Sequence, residues 1–110
     1  MREMQTHAEE ITHPDREQIE LGAVLHALSD PVRLHIVSCL AAQACPQTTG
    51  SIEVPVSKST CTHHFRVLRE AGVIKQRQEG TARMNELRLD DLDARFPGLL
   101  KTVLESAQRP

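Results

Sequence analysis

Read as a pattern of apolar and polar positions, the chain divides into helical stretches with short breaks and one alternating stretch in its second half. Residues 1–16 hold no apolar stripe of useful length and include His7, His13 and Pro14, so a mobile N-terminal arm is expected there. A single domain over residues 17–107 follows. From about Glu17, the residues Leu21, Val24, Leu25 and Leu28 recur at helical spacing and predict a first helix with one apolar face. Ser29-Asp30-Pro31 interrupts it and starts the next helix: the Asp30 carboxylate can accept orphan backbone N–H groups, and proline at the first helical position loses no hydrogen bond. Ile36, Val37 and Leu40 supply the buried stripe of this second helix, which should end near Ala42 or Ala44, before Pro46. Gln47 to Pro55 shows little periodicity, so any helix there is short.

Ser57 or Ser59 can cap a third helix reaching about Ala71, with Cys61, His64, Phe65 and Leu68 on one face and Gly72 as its stop. Val73-Ile74 then leads into alternating residues, a Glu79-Gly80 turn and a second extended run from Thr81 to Leu89, which is a hairpin pattern. Asp90 and Asp91 open a helical turn. Beyond Pro97, Leu99, Leu100, Val103 and Leu104 form a last amphipathic helix. The expected fold is mainly α with a small β-hairpin that projects as a wing.

At 110 residues, a single core leaves the monomer marginally stable, and a dimer interface would add to it. Aromatic residues are only 2%, namely Phe65 and Phe96, which disfavours single-strand binding on stacking platforms. No apolar run approaches the roughly 20 residues that span a bilayer. The polar start, with Glu3, Glu9 and Glu10, is unlike a secretory signal, so a cytoplasmic protein with no membrane partner is expected. Three cysteines at irregular spacing do not form a secreted disulfide framework.

The net charge of −2 is unevenly spread. Residues 57–88 carry seven basic side chains against three acidic ones, a local +4, while the remainder carries six against twelve, a local −6. A basic segment on an acidic body suits a protein that turns one face to phosphates. The third helix is the natural reader, because a rod about 10 to 12 Å across fits a major groove about 12 Å wide. Ser59, Thr60, Thr62, His63 and Arg66 project away from its apolar stripe, and Lys58 lies in its first turn. Arg66 is the candidate base reader, through the bidentate pairing of guanidinium with guanine. The hydroxyls suit phosphates or several bases. On the hairpin, Arg77, Thr81 and Arg83 flank the turn, within reach of an adjacent minor groove or backbone. His64 shares the buried side and is read as a packing or structural group.

Two segments resemble the ArsR family of bacterial repressors. Leu25-His26-Ala27-Leu28-Ser29-Asp30-Pro31-Val32-Arg33-Leu34-His35-Ile36 is similar to its second-helix signature, and the stretch from Val56 to Ile74 resembles its recognition helix and entry to the wing. The resemblance covers residues 18–104. It implies a dimeric winged helix-turn-helix that binds double-stranded DNA at a palindromic operator as a transcriptional repressor. It also implies a homodimer interface built from the first and last helices, here Leu21, Leu25, Leu99, Leu100, Val103 and Leu104, although each can instead pack within the monomer. For Arg33 it permits a phosphate contact, with a salt bridge as the alternative. The family's Cys-x-Cys metal ligands are missing, since Ser51-Ile52-Glu53-Val54-Pro55 occupies that region, and the last helix lacks spaced His and Asp ligands. No metal or cofactor is expected, and the small effector is left unidentified.

Cys39 and Cys45 form an alternative sensor, a thiol pair responding to oxidant, a soft metal or arsenite. Against it, Cys39 and Cys61 read as small buried hydrophobes and Cys45, beside Pro46, as an exposed loop residue. A winged-helix protein-interaction module would need an apolar rather than basic wing and third helix. An enzyme would need a nucleophile and base such as Cys61 with His64, which lie on a face committed to packing, so catalysis is not expected.

Overall fold

The computed structural model describes residues 11–43 and 45–108. Five helices and a three-stranded antiparallel sheet build it: α1 (Leu21–Leu28), α2 (Pro31–Ala42), β1 (Gln47–Thr48), α3 (Lys58–Glu70), β2 (Ile74–Glu79), β3 (Ala82–Leu87), α4 (Leu89–Arg95) and α5 (Leu99–Ala107). Short 3₁₀ turns precede α1 at Arg16–Gln18 and follow β1 at Thr49–Ser51. The sheet order is β1-β3-β2. The hairpin pairs Ile74 with Leu87 through to Glu79 with Ala82, leaving Gly80 and Thr81 as its two-residue turn, with Gly80 at φ +61°.

The helix starts follow local chemistry. Asp30 accepts from the backbone N–H groups of Val32 and Arg33 at 2.9 and 3.1 Å, and Pro31 opens α2. Although partial desolvation acts in the opposite direction, the Arg33 N–H and the positive groups nearby pull the Asp30 carboxyl below its ordinary value. Ser57 caps α3 by accepting the Thr60 N–H. The core is aliphatic, with Val24, Ala27, Ile36, Val37, Leu68, Val73 and Ile74 fully buried around Phe65. α5 closes it from below through Leu100 and Leu104, packing on α2 and α4.

The strand β1 was not anticipated. It is two residues long and exists through its pairing with β3, where Gln47 faces Asn85 and Thr48 faces Met84. The first helix begins at Leu21 rather than near Glu17, because Arg16–Gln18 forms its own turn and Ile19 is inserted into the core at 1% exposure.

Of the expected arm, residues 1–10 lie outside the described residues, and residues 13–16 are docked against β2 at Gln76 and against the start of α4. There the ring Nε2 of His13 accepts the Gln76 backbone N–H at 2.9 Å, and the Pro14 carbonyl accepts from Arg88 Nη1 at 2.8 Å. Arg16 and Arg88 both donate to Asp91, at 2.7 and 2.9 Å, and these two bonds hold its carboxyl below the usual carboxylate range. One outward N–H on the free edge of the hairpin, that of Gln76, is thereby satisfied.

Gly72 ends α3 at φ +87°, and a Cβ there would sit 2.6 Å from Ile19 Cγ1. Both the left-handed backbone and the contact with a buried β-branched side chain demand glycine. Gly72→Ala is expected to cost about 1–3 kcal/mol, read as a lowered denaturation midpoint at unchanged m-value. Unaltered stability would contradict the seating of Ile19 against this turn.

His13 gives a pH dependence. Burial, then the charges of Arg88, Arg69 and Lys75, lower its pKa from the ordinary value of 6.5. Its accepting nitrogen also demands the neutral ring. Because the folded pKa is depressed, the contribution to stability is complete above pH 6.5 and is lost as pH falls through the lower folded value. Histidine NMR titration should place the His13 midpoint below 6.5, with the Gln76 amide resonance moving at the same pH. A midpoint at or above the ordinary value would refute this docking.

Candidate nucleic-acid interface

The third helix presents two chemically distinct faces. Cys61, His64, Phe65, Leu68 and Arg69 are buried, whereas Lys58, Ser59, Thr60, Thr62, His63 and Arg66 are all exposed. These six are the residues singled out from helical spacing, and α3 brings them to one polar surface. Thr62 and Ser57 have their hydroxyls engaged locally, Thr62 Oγ1 donating to the Lys58 carbonyl at 3.0 Å and Ser57 Oγ donating to Thr60 Oγ1 at 3.0 Å. Lys58, Arg66 and His63 take part in no ion pair among the described residues.

The seating of α3 on the α1–α2 corner runs through Arg33, which is 7% exposed. Its Nε donates to the Ala27 carbonyl at 2.7 Å and its Nη2 to the His26 carbonyl at 3.2 Å, capping the C-terminal end of α1. Nη1 lies 3.2 Å from His64 Nδ1 on α3. Since guanidinium only donates, Nδ1 is the acceptor and the His64 proton sits on Nε2, 3.9 Å from Asp30 Oδ2. Arg33 is thus engaged by hydrogen bonds within the fold and forms no salt bridge among the described residues, and His64 has a structural hydrogen bond.

The wing divides its residues between two sides. Gln76 and Asn85 are paired in register and both buried, facing α3. Arg83 shares this side and borders a cleft with Thr62, Arg66 and Arg69. Its Nε donates to Gln78 Oε1 at 3.3 Å. By strand alternation Arg77 lies on the opposite side, where it donates to Glu79 at 2.7 Å. Thr81 is exposed at the tip and borders the cleft that also includes Lys58, Thr62 and Arg83.

Not every cation of the basic segment reaches this face. Arg69 is buried and donates to Gln76 Oε1 at 2.9 Å, and Arg88 is tied to Pro14 and Asp91. Gln76 in turn donates to Asn85 at 2.7 Å, and Asn85 to Thr49 Oγ1 at 2.9 Å and to the Gln47 carbonyl at 3.2 Å. This polar chain links α3, the hairpin and β1. The available signal for it was the placement of Gln76 and Asn85 at the positions where alternation from Ile74 and Leu87 points inward.

Among the leucines expected at a dimer interface, Leu21 and Leu25 are each 46% exposed, while Leu100 and Leu104 are buried in the chain's own core and Leu99 and Val103 are half-buried. The thiols lie in different surroundings. Cys39 is half-buried beside His35 Nε2, at 3.5 Å, in a cleft with Gln43 and Glu53; Cys45 is exposed and borders a different cleft with Leu40 and Leu89. Cys61 is buried, and that burial pushes its thiol pKa up, away from a nucleophilic thiolate. No group of three or more His, Cys, Asp or Glu side chains among the described residues is placed to hold a metal ion, and no helix there is long and apolar enough to cross a membrane.

Residues 28–77 match the model of a helix-turn-helix domain. An HTH-type transcriptional regulator, YceK, from Bacillus subtilis is 32% identical over 82 residues, covering 73% of this chain and 82% of the relative. The crystal structure of an ArsR family transcriptional regulator superposes with a TM-score of 0.63 at 20% identity, covering 90% of this chain and all of that one. A homodimeric winged helix-turn-helix DNA-binding domain from Mycobacterium bovis superposes at 0.61 with 24% identity, covering 78% and 79% of the two chains. The chain belongs to the HTH-type transcriptional regulators, and its winged helix-turn-helix fold is that of solved ArsR family regulators.

Proposed function

We propose that the chain acts in the cytoplasm as a homodimer that represses transcription by occupying a palindromic operator, and leaves it in response to a small effector. The observation that carries this reading is that polar and basic groups of both elements meet at one cleft: Lys58 and Thr62 of α3 and Thr81 and Arg83 of the wing border it, above a floor that includes Ile52, Val54 and Val56, with Arg66 alongside. In this reading α3 enters a major groove, Arg66 reads a base, and Arg83 and Thr81 follow the backbone toward the next minor groove. Arg77 is an outer phosphate contact that must first leave Glu79. A two-fold dimer sets two copies of α3 about 34–36 Å apart, one turn of the duplex, and such a footprint over a promoter blocks access to it. The same large surface argues against a protein-interaction module, since the exposed large apolar side chains among the described residues, Leu21, Leu25 and Leu89, all lie off α3 and the hairpin.

Binding to the promoter adjoining its own coding sequence should weaken steeply with salt, log K falling by about 0.9 for each phosphate contact per decade. Arg66→Ala should cost about 1–3 kcal/mol per half-site and relax base preference there. Weak, salt-insensitive binding would end the reading.

The dimer is tested through the first helix. Leu25→Lys places a charge in the exposed apolar patch with Leu21, and should shift the protein toward monomer in sedimentation while leaving its circular dichroism intact. A variant that stays dimeric would move the interface elsewhere.

A further inference from the structure

Between α3 and the wing the cleft narrows to a cavity of about 260 Å³ lined by Thr49, Thr62, Arg66, Arg69, Gln76 and Arg83, among others. Three arginines line it, and its lining includes no carboxylate. Arg69 is the unusual one. It is 7% exposed, as buried as Arg33. Arg33 is satisfied through Nε, Nη1 and Nη2, whereas the Nε–H of Arg69 finds no acceptor among the described residues. None of the ion pairs among those residues includes it. Its one hydrogen-bond partner, Gln76, is neutral, and the chain beyond through Asn85 and Thr49 is neutral as well. A buried guanidinium without a counter-charge is costly, and an anion is the group that relieves it.

We propose that this cavity binds a small oxyanion, a phosphate- or carboxylate-bearing metabolite, held by Arg69 at depth and by Arg66 and Arg83 nearer solvent. The threonine hydroxyls add little charge recognition: Thr62 donates to the Lys58 carbonyl and Thr49 to the Arg83 carbonyl. The guanidinium groups therefore carry it, with the planar fork suited to an oxyanion. A free anion fits this place better than a phosphate of the duplex, because a backbone on the exposed face reaches Arg66 but not a side chain as buried as Arg69. Arg66 and Arg83 would then be shared between anion and operator, so each ligand weakens the other by the same factor. This linkage rests on the DNA-binding reading above; binding of the anion does not.

The test uses the full chain labelled with nitrogen-15, titrated with inorganic phosphate and, separately, with sodium chloride at matched ionic strength. The Arg69 Nε–Hε resonance should move saturably with phosphate and not with chloride, together with the Gln76 and Thr49 amides. Affinity should fall about tenfold or more in Arg69→Lys. Should that variant fail to fold, Arg83→Ala is expected to weaken phosphate binding while the Arg69 signal still reports it. A still or non-saturating Arg69 signal in the folded wild type overturns the site. So does an Arg69 signal that responds to a DNA duplex but not to free phosphate. Phosphate should also release operator DNA more than chloride does; saturable anion binding without that excess release overturns the linkage. Salt-dependent DNA binding with a silent Arg69 leaves the proposed function standing and removes only this site.

Discussion

The geometry of the corner formed by α1, α2 and α3 depends on one buried guanidinium. Arg33 closes the last carbonyls of α1, starts within the first turn of α2 and reaches His64 on α3, so three helices share one side chain. Charge burial of this kind is costly on its own. Here the C-terminal end of α1 supplies partial negative charge, and Asp30 stands close to the same group through its cap and His64. The two helices of the motif are thus held at a defined corner by directional bonds, where apolar packing alone would allow sliding.

A second polar device positions the wing. From root to tip, the inward side of the hairpin passes from Ile74 and Leu87 through Gln76 and Asn85 to Gln78 and Arg83. The root is fixed by packing. The middle is fixed by amide hydrogen bonds to α3 and β1, and toward the tip the tie to the body of the fold is a long bond from the Thr49 hydroxyl to the Arg83 carbonyl, at 3.5 Å. Such a gradient keeps the base of the wing in register with α3 and leaves the tip less constrained, and on the outer edge His13 occupies the outward N–H of Gln76.

How much of this could be read from the chain depended on how local the signal is. Asp30-Pro31, Ser57 and Gly72 act within a turn of themselves, and each boundary they mark is where the structure has it. The outward face of α3 follows from helical spacing alone. The two-residue β1 could not be read, because nothing in Gln47-Thr48 favours a strand until β3 lies beside it. The charge division was legible as a sum but not as a surface: Arg69 and Arg88 count toward the basic segment, yet one is buried and the other is bound by Pro14 and Asp91, far away in sequence or on α4. The docking of residues 13–16 is equally non-local. For the leucines of α5, the period showed an apolar face without showing that Leu100 and Leu104 spend it inside the monomer.

The two buried arginines make the functional argument. Both are attached to α3, Arg33 through His64 and Arg69 as a residue of the helix, and both are out of water. A purely structural arginine has its donors satisfied, because leaving one orphaned costs as much as the bond would have contributed. Arg33 meets that standard and Arg69 does not. Arg69 also lines the cavity between α3 and the wing, where Gln76 already ties the helix to the hairpin and to His13 of the preceding segment. A charge entering there would act at the joint between α3 and the hairpin, the two elements that the proposed function turns toward DNA, so the residue the fold leaves unsatisfied is also the one placed to couple them.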